Sequence, residues 1–290
     1  MPRDIEDLHA EACCRGDSIY IDPVTGYSVF TSVGLKKKGT CCGSGCRHCP
    51  YGRMNCPPRR APKDTTPLEY RKGGSGCGDE QRETAVVFFS GGKDSFLSLY
   101  HARQRYNVVL LSTYDPTLQM NGIQRVPIDR IREFASTYQL DLVTIPVSTD
   151  TLPYPDMIEK GLALIQASKP TTHISCLVFG DIHLEHIKQW RLDEFSKRLG
   201  YECWFPLWNK PYDVLQETLH IACQEYRVEF SFSAIYDDTL REKLNISDEE
   251  LNGQCVPTYH DSIAILEENN VDVFGEHGEF HTMVTLLGPQ

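Results

Sequence analysis

The chain lacks a long apolar run. None of its 290 residues falls in a stretch of the eighteen or so apolar residues that a membrane helix needs, so no membrane association is expected. Residues 1–20 are acidic and hold no apolar segment of signal-peptide length, which points to a soluble, cytoplasmic protein. An excess of positive charge is missing as well. The formal net charge is −11, which argues against a general nucleic-acid binder and says nothing about fold. Two common nucleotide motifs are also absent: there is no G-x-G-x-x-G fingerprint and no G-x-x-x-x-G-K-[ST] loop. What remains is a globular composition, long enough for one large domain or two smaller ones.

One stretch organises the rest, Ala85-Val-Val-Phe-Phe-Ser-Gly-Gly-Lys-Asp-Ser-Phe-Leu-Ser-Leu-Tyr100. Its first five residues are apolar and predict a buried parallel strand. Ser90, Gly91 and Gly92 end the strand. Asp94 and Ser95 suit a helix start, and Phe96, Leu97, Leu99 and Tyr100 supply an apolar helical stripe. Strand, glycine loop and helix N-terminus together make an anion site. Glycines let backbone N–H groups approach a ligand, and a helix start carries about half a positive charge. Lys93 adds a full charge, and Ser90 and Ser95 add hydroxyls. Downstream, strands are expected at 108–113, 142–147, 176–179 and 203–207, separated by helices at 127–138, 156–167 and 184–199. This alternation predicts an α/β fold with a doubly wound, mainly parallel sheet. Ligands of such sheets sit beyond the carboxyl ends of the strands, which places Gly180-Asp181 on the same edge as the glycine loop.

The domain expected to carry the loop is 83–207. Residues 208–290 predict a smaller α+β domain: a helix at 212–226, a strand at 228–235, a helix at 261–269, a short strand at 271–274 and a last strand at 283–287. Between the last two strands lies Gly275-Glu276-His277-Gly278-Glu279-Phe280-His281-Thr282. This is expected to be a polar loop with acid, base and metal-binding capacity, and Glu276, Glu279 and His281 are the catalytic candidates.

Eight of the twelve cysteines lie in residues 13–77. Without a secretion signal, such a cluster reads as metal-binding rather than disulfide-bonded. Cys46-x-x-Cys49 is a half-site for zinc, with Cys41, Cys42, Cys56, His48 and Cys13 or Cys14 as possible completions. An iron–sulfur cluster and plain reduced thiols stay open. So does a radical-SAM spacing at Cys42, Cys46 and Cys49, which would need a β/α barrel downstream. Residues 1–56 are thus expected to form a cysteine-rich module with a hairpin at 18–30. Residues 57–82, rich in Pro, Gly and basic side chains, predict a flexible linker that either touches RNA or is simply solvated.

Ser90-Gly-Gly-Lys-Asp-Ser95 resembles the pyrophosphate (PP) loop of the N-type ATP pyrophosphatases, which have a Rossmann-like sheet of the HUP type. Together with Val178-Phe-Gly-Asp-Ile182, Phe205-Pro-Leu-Trp208 and Gly275–Thr282, in that order, the chain from 83 to 290 resembles the diphthine–ammonia ligase family. The resemblance implies an AMP-forming ligase that uses ATP and magnesium. Ser90, Gly91, Gly92, Lys93, Asp94 and Ser95 would hold the pyrophosphate end, Asp94 would cap the helix or reach magnesium, and Asp181 would lie at the nucleotide edge. Glu276, Glu279 and His281 would serve the substrate side. The implied partners are a carboxylate acceptor, such as the diphthine of elongation factor 2, and ammonia. At 277 and 281 this chain has histidine where that family typically has glycine and glutamate. Histidine at 281 is closer to a sister branch concerned with cobalamin-type amidation. A tRNA-modifying, thiolating enzyme is the remaining alternative, with tRNA as its partner.

Overall fold

The computed structural model describes residues 5–24, 26–37, 39–41, 46–52, 54, 68–74, 82–122, 124–147, 153–236, 238–244, 246, 258–276 and 278–287. The N-terminal module begins with helix α1, Ile5–Arg15. Strands β1 (Ile19–Ile21) and β2 (Ser28–Phe30) form the expected hairpin, with Ile19 opposite Phe30. Helix α2, Ser32–Lys36, is capped by the Thr31 hydroxyl, which accepts the Gly34 N–H at 3.0 Å.

The central sheet has six strands. They are β3 (Glu69–Arg71), β4 (Thr84–Phe88), β5 (Asn107–Tyr114), β6 (Asp141–Pro146), β7 (Ile174–Val178) and β8 (Glu202–Trp204), in the spatial order β3-β6-β5-β4-β7-β8. All neighbouring pairs run parallel except β3 with β6. From β4 the chain winds outward through β5 and β6, then returns and winds the other way through β7 and β8. The reversal falls between β4 and β7, and ligands of such sheets bind at that crevice. Helices α3 (Lys93–Arg103), α4 (Ile128–Thr137), α5 (Tyr154–Ser168) and α6 (Glu185–Arg191) make the crossovers. Ala85, Val86 and Val87 of β4 are fully buried, as a strand covered on both faces must be.

Helix α7 (Tyr212–Tyr226) and strand β9 (Val228–Ile235) follow, with Arg227 in the left-handed region as the hinge between them. Then come α8 (Asp238–Leu244), α9 (Tyr259–Glu268) and β10 (Phe280–Leu286), which pairs antiparallel with β9. The C-terminal part does not stand apart. Phe96 and Phe134 from the sheet side and Phe230, Phe232, Phe274 and Phe280 from the C-terminal side belong to one apolar cluster. This explains α3, which is buried nearly all round, its Lys93, Ser95 and Ser98 included: it packs on the sheet and on the C-terminal part.

Several expectations change. Residues 271–274 are a turn, not a strand, because Asp272 accepts the Phe274 N–H at 2.8 Å and the Gly275 N–H at its own carbonyl at 2.9 Å. The supposed polar loop ends at Glu279, since β10 already begins at Phe280. Phe280 and Thr282 are each only 2% exposed. The helix expected at 184–199 turns π-helical over Leu192–Arg198. Within the segment expected to be a linker, Glu69–Arg71 is an edge strand of the sheet, held by pairing with Leu142–Thr144. The rest of that segment lies outside the described residues, apart from 68, 72–74 and 82.

Candidate active site

Strand β4 delivers the glycine loop to the crevice, and the loop is internally braced. The Ser95 hydroxyl accepts the Ser90 N–H at 3.2 Å and donates to the Gly92 carbonyl at 2.9 Å. Gly91 has φ +82°, which favours glycine, and a Cβ there would stand 2.9 Å from Val126. Helix α3 starts at Lys93 with Gly92 as its N-cap, and no side chain of the loop caps it. Asp94 therefore does not cap the helix. Gly92 brings no capping side chain of its own, and a helix start of this kind is the arrangement an anion uses.

The C-terminal strand grips this loop. The Val284 N–H donates to the Gly91 carbonyl at 2.8 Å, and the Thr282 hydroxyl accepts the Lys93 N–H at 3.1 Å. Gly91, Gly92 and Lys93 are buried beneath it. Thr282 thus fills a position on the loop where an acceptor oxygen is wanted. On the opposite wall, a Cβ on Gly180 would stand 3.0 Å from the Asp94 carbonyl carbon and 3.1 Å from the Ser95 nitrogen. The exit of β7 rests directly on the start of α3, and only glycine leaves room. Gly180→Val should push the two apart. We expect a loss of about 1–3 kcal/mol from overpacking, read as a lower melting temperature, together with weaker ATP binding by calorimetry. Unchanged affinity would show that the contact is not needed.

Lys93 does not reach outward. It is 3% exposed, and its Nζ lies 2.9 Å from Asp94 Oδ1 and 2.6 Å from the Phe274 carbonyl. The rings of Phe274, Phe280 and Tyr259 surround it at 5.0, 5.8 and 5.9 Å. Sequence reasoning set Lys93 among the phosphate-binding groups, and here its ammonium is turned into a cage built by the C-terminal part.

Carboxylates crowd the same place. Burial pushes the Glu276 carboxyl up from 4.5 to about 8, helped by the charges of Asp94, Asp181 and Asp272 and opposed by Lys93. Burial also raises Asp94, against the pull of Lys93. Asp272 accepts from the Tyr212 hydroxyl at 3.2 Å. Asp181 is held by Arg191, with Nε 2.6 Å from Oδ2 and Nη2 donating to Oδ1 at 3.2 Å. The structure thus brings Asp94, Glu276 and Asp181 of the expected set into one electrostatic neighbourhood. Glu279 and His281 lie further along, beside Tyr236: the Glu279 carbonyl accepts the Tyr236 N–H at 2.7 Å, and the His281 ring meets Tyr236 edge-on at 5.3 Å.

Sequence reasoning missed Asp272, Tyr212 and Arg191. Asp272 was hidden inside the run read as a strand. A carboxylate three residues before a glycine-broken acidic segment is the signal that points to it.

Glu276 also sets a pH dependence. Between pH 4.5 and about 8 the folded chain keeps a proton that the unfolded chain gives up. The stability it contributes is therefore complete below the lower value and is lost as pH rises through the higher one. Glu276→Gln should melt with the parent at pH 4 and above it at pH 9. Parallel melting curves at both pH values would refute the shift.

In the N-terminal module, Cys41, Cys46 and Cys49 are among the described residues, and Cys42 and Cys56 lie outside them. Glu6, His9 and His48 also bring potential ligand atoms within 4.8 Å of one another.

Residues 83–203 match the family model described as the diphthamide synthase N-terminal domain. Residues 8–55 match a family of unknown function, DUF5522. Among solved structures, the chain is similar to a predicted subunit of tRNA methyltransferase from Methanocaldococcus jannaschii, at 16% identity and a TM-score of 0.32, covering 72% of this chain and 99% of that one. It is also similar to a 4-thiouridine synthetase in complex with RNA and ATP, at 11% identity and a TM-score of 0.36, covering 70% of this chain and 55% of that one. At those scores neither likeness decides anything about the site.

Proposed function

We propose, from the premise that residues 83–203 form a diphthamide synthase N-terminal domain and the chain is an ATP-using enzyme of the PP-loop kind, that it adenylates a substrate carboxylate and passes the acyl group to ammonia. One observation carries this reading. The glycine-capped start of α3, suited to an anion, lies beside a cluster of carboxylates in which burial pushes Glu276 up to about 8.

The residues divide the work. Ser90–Ser95 hold the departing pyrophosphate through backbone N–H groups and hydroxyls, and stabilise the charge that builds on it as the substrate carboxylate attacks the α-phosphorus. Asp94, with Asp272 close by, is the donor set suited to the magnesium of bound ATP, and that ion would neutralise phosphate charge. Asp181, fixed by Arg191, borders the nucleotide. Glu276 in its ionised form takes a proton from ammonium, and the ammonia released attacks the acyl-adenylate, leaving the amide and AMP. A base that titrates near the working pH suits that exchange. Glu279 and His281 line the acceptor side. Histidine at 281 favours an acceptor other than diphthine, of the cobalamin-related kind, over elongation factor 2. The cysteine-rich module is where zinc or an iron–sulfur cluster would sit, and the cytoplasm is the proposed compartment.

The test is exchange of labelled pyrophosphate into ATP, dependent on an added carboxylate, over a panel that includes diphthine-bearing elongation factor and polycarboxylic corrinoids. AMP formation that also needs ammonia is the expected result. Release of ADP and phosphate would overturn the reading. AMP formation with tRNA and a sulfur donor would replace it with tRNA thiolation.

A further inference from the structure

The N-terminal module stands directly against the site. The turn of its hairpin packs on the wall made by α5 and α6. Gly26 has φ +69°, and a Cβ there would stand 2.6 Å from the Pro155 Cδ and 3.3 Å from the Trp190 ring. Tyr27 meets the Tyr154 ring edge-on at 5.6 Å, and Tyr154 in turn lies 6.0 Å from Trp190. Burial at this contact pushes the Tyr27 phenol up to about 12. The start of α5 follows the exit of β6, and α6 follows the exit of β7. The hairpin therefore sits at the edge of the sheet that holds the glycine loop.

The other side of the module reaches the C-terminal part. A Cβ on Gly278 would stand 4.0 Å from the Ser18 hydroxyl oxygen. Gly278 is two residues from Glu276. The carboxylate cluster lies between these two attachments: Tyr154 is within electrostatic reach of Arg191 and Asp181, and Asp181 is within that of Glu276. We propose that the β1–β2 hairpin, anchored by Gly26 and Tyr27 on one wall and by Ser18 on the other, is a roof over the acceptor side of the crevice. The roof restricts the acceptor to a small-molecule carboxylate and excludes one carried on a folded protein. The restriction rests on the ligase reading above; the roof itself does not.

A roof must keep its shape, and this one is braced from within. Asp22 is fully buried; its carboxylate accepts the Val24 N–H at 2.9 Å and pairs with Arg47 at 2.8 Å. Its own N–H donates to the Tyr27 carbonyl at 3.0 Å, and its carbonyl accepts the Gly26 N–H at 2.8 Å. A carboxylate that bonds the backbone two residues on fixes a turn. The Tyr20 hydroxyl lies 2.8 Å from His48 Nε2, and the His48 ring stacks on His9 at 3.7 Å, which ties the hairpin to α1. The tip is thus a preformed wedge. A free acid can enter beside it, whereas a folded acceptor must first break the contacts at Pro155, Tyr154 and Gly278.

Hydrogen–deuterium exchange on the full chain tests the roof. Gly26→Val drives side-chain atoms into Pro155 and should lift the turn. Tyr27→Ala removes the ring contact and leaves the turn backbone alone, which covers the case in which Gly26→Val misfolds the hairpin. Val24→Ser, on the same turn and 62% exposed, is the control. Both docking variants should speed exchange in the peptides holding Pro155 and Gly278 together, by about tenfold or more, the scale of one disrupted packing contact. Strand β4 should stay protected, and Val24→Ser should change nothing. Faster exchange around Pro155 alone would overturn the roof, since the module would then hang from one wall. Unchanged exchange in both variants would overturn it too. In the carboxylate panel, the unsubstituted chain should form AMP with free small acids and not with the elongation factor. Turnover of the folded factor at the rate of a small acid would overturn the restriction. Failure of every carboxylate to yield AMP would count against the ligase reading and leave the roof to be judged by the exchange data.

Discussion

Asp94→Asn should lower carboxylate-dependent pyrophosphate exchange by about a hundredfold or more, the scale set by removing one preorganised polar group from a reacting centre. The substitution keeps size and shape and removes the charge. Asp94 is the carboxylate on the first turn of the loop helix, in contact with Lys93 and in electrostatic reach of Glu276 and Asp272. A second effect accompanies the first. Asp94 is the largest of the charges that raise Glu276, so its removal should bring the Glu276 carboxyl down from about 8. The acidic limb of the rate profile, where Glu276 gives up its proton to become the base, should shift to lower pH in the residual activity. Exchange at the parental rate would remove Asp94 from the mechanism.

Lys93→Met should be the most destabilising single change at this site. Methionine keeps the stem between Phe274, Phe280 and Tyr259 and deletes the ammonium. Asp94 is then left among other carboxylates without its counter-charge, at a side-chain exposure of 18%. Breaking a buried pair on one side costs about 3–5 kcal/mol, or about 10 °C in melting temperature for a chain of this size. The loss should grow with pH, since at low pH Asp94 can take up a proton instead. The double variant Lys93→Met, Asp94→Asn should recover most of the loss, because neither charge is left stranded. Asp94→Asn alone should cost less than Lys93→Met, since the ammonium keeps the Phe274 carbonyl and three ring faces. Equal melting of the two single variants would refute this asymmetry.

Much of the fold could be read from periodicity. The helix at 212–226 and the strand at 228–235 lie where their patterns put them, because a strong apolar stripe and a strict alternation leave few alternatives. The five parallel strands of the sheet followed from the same alternation. Short elements were harder. Four residues at 271–274 alternate like a strand, yet the Asp272 side chain closes them into a turn, and no count of apolar positions reveals that. Glu69–Arg71 is too short and too close to Pro and Gly to announce itself, and it exists because β6 offers an open edge. At the site, the loop and Glu276 were legible as motifs. The inward turn of Lys93, the Thr282 bond and the Arg191 clamp on Asp181 were not, since each joins residues far apart in the chain.

The apolar cluster that runs from α3 and α4 into β9 and β10 bears on how the protein comes apart. Phe96 meets Phe134 on one side and Phe230 on the other, with ring centroids 6.1 and 5.4 Å away. A cut after residue 207 would expose that aromatic seam on both fragments. Calorimetry should therefore record a single cooperative endotherm for residues 83–287. Neither half, made alone, should refold without its complement, and mixing the two should rescue both.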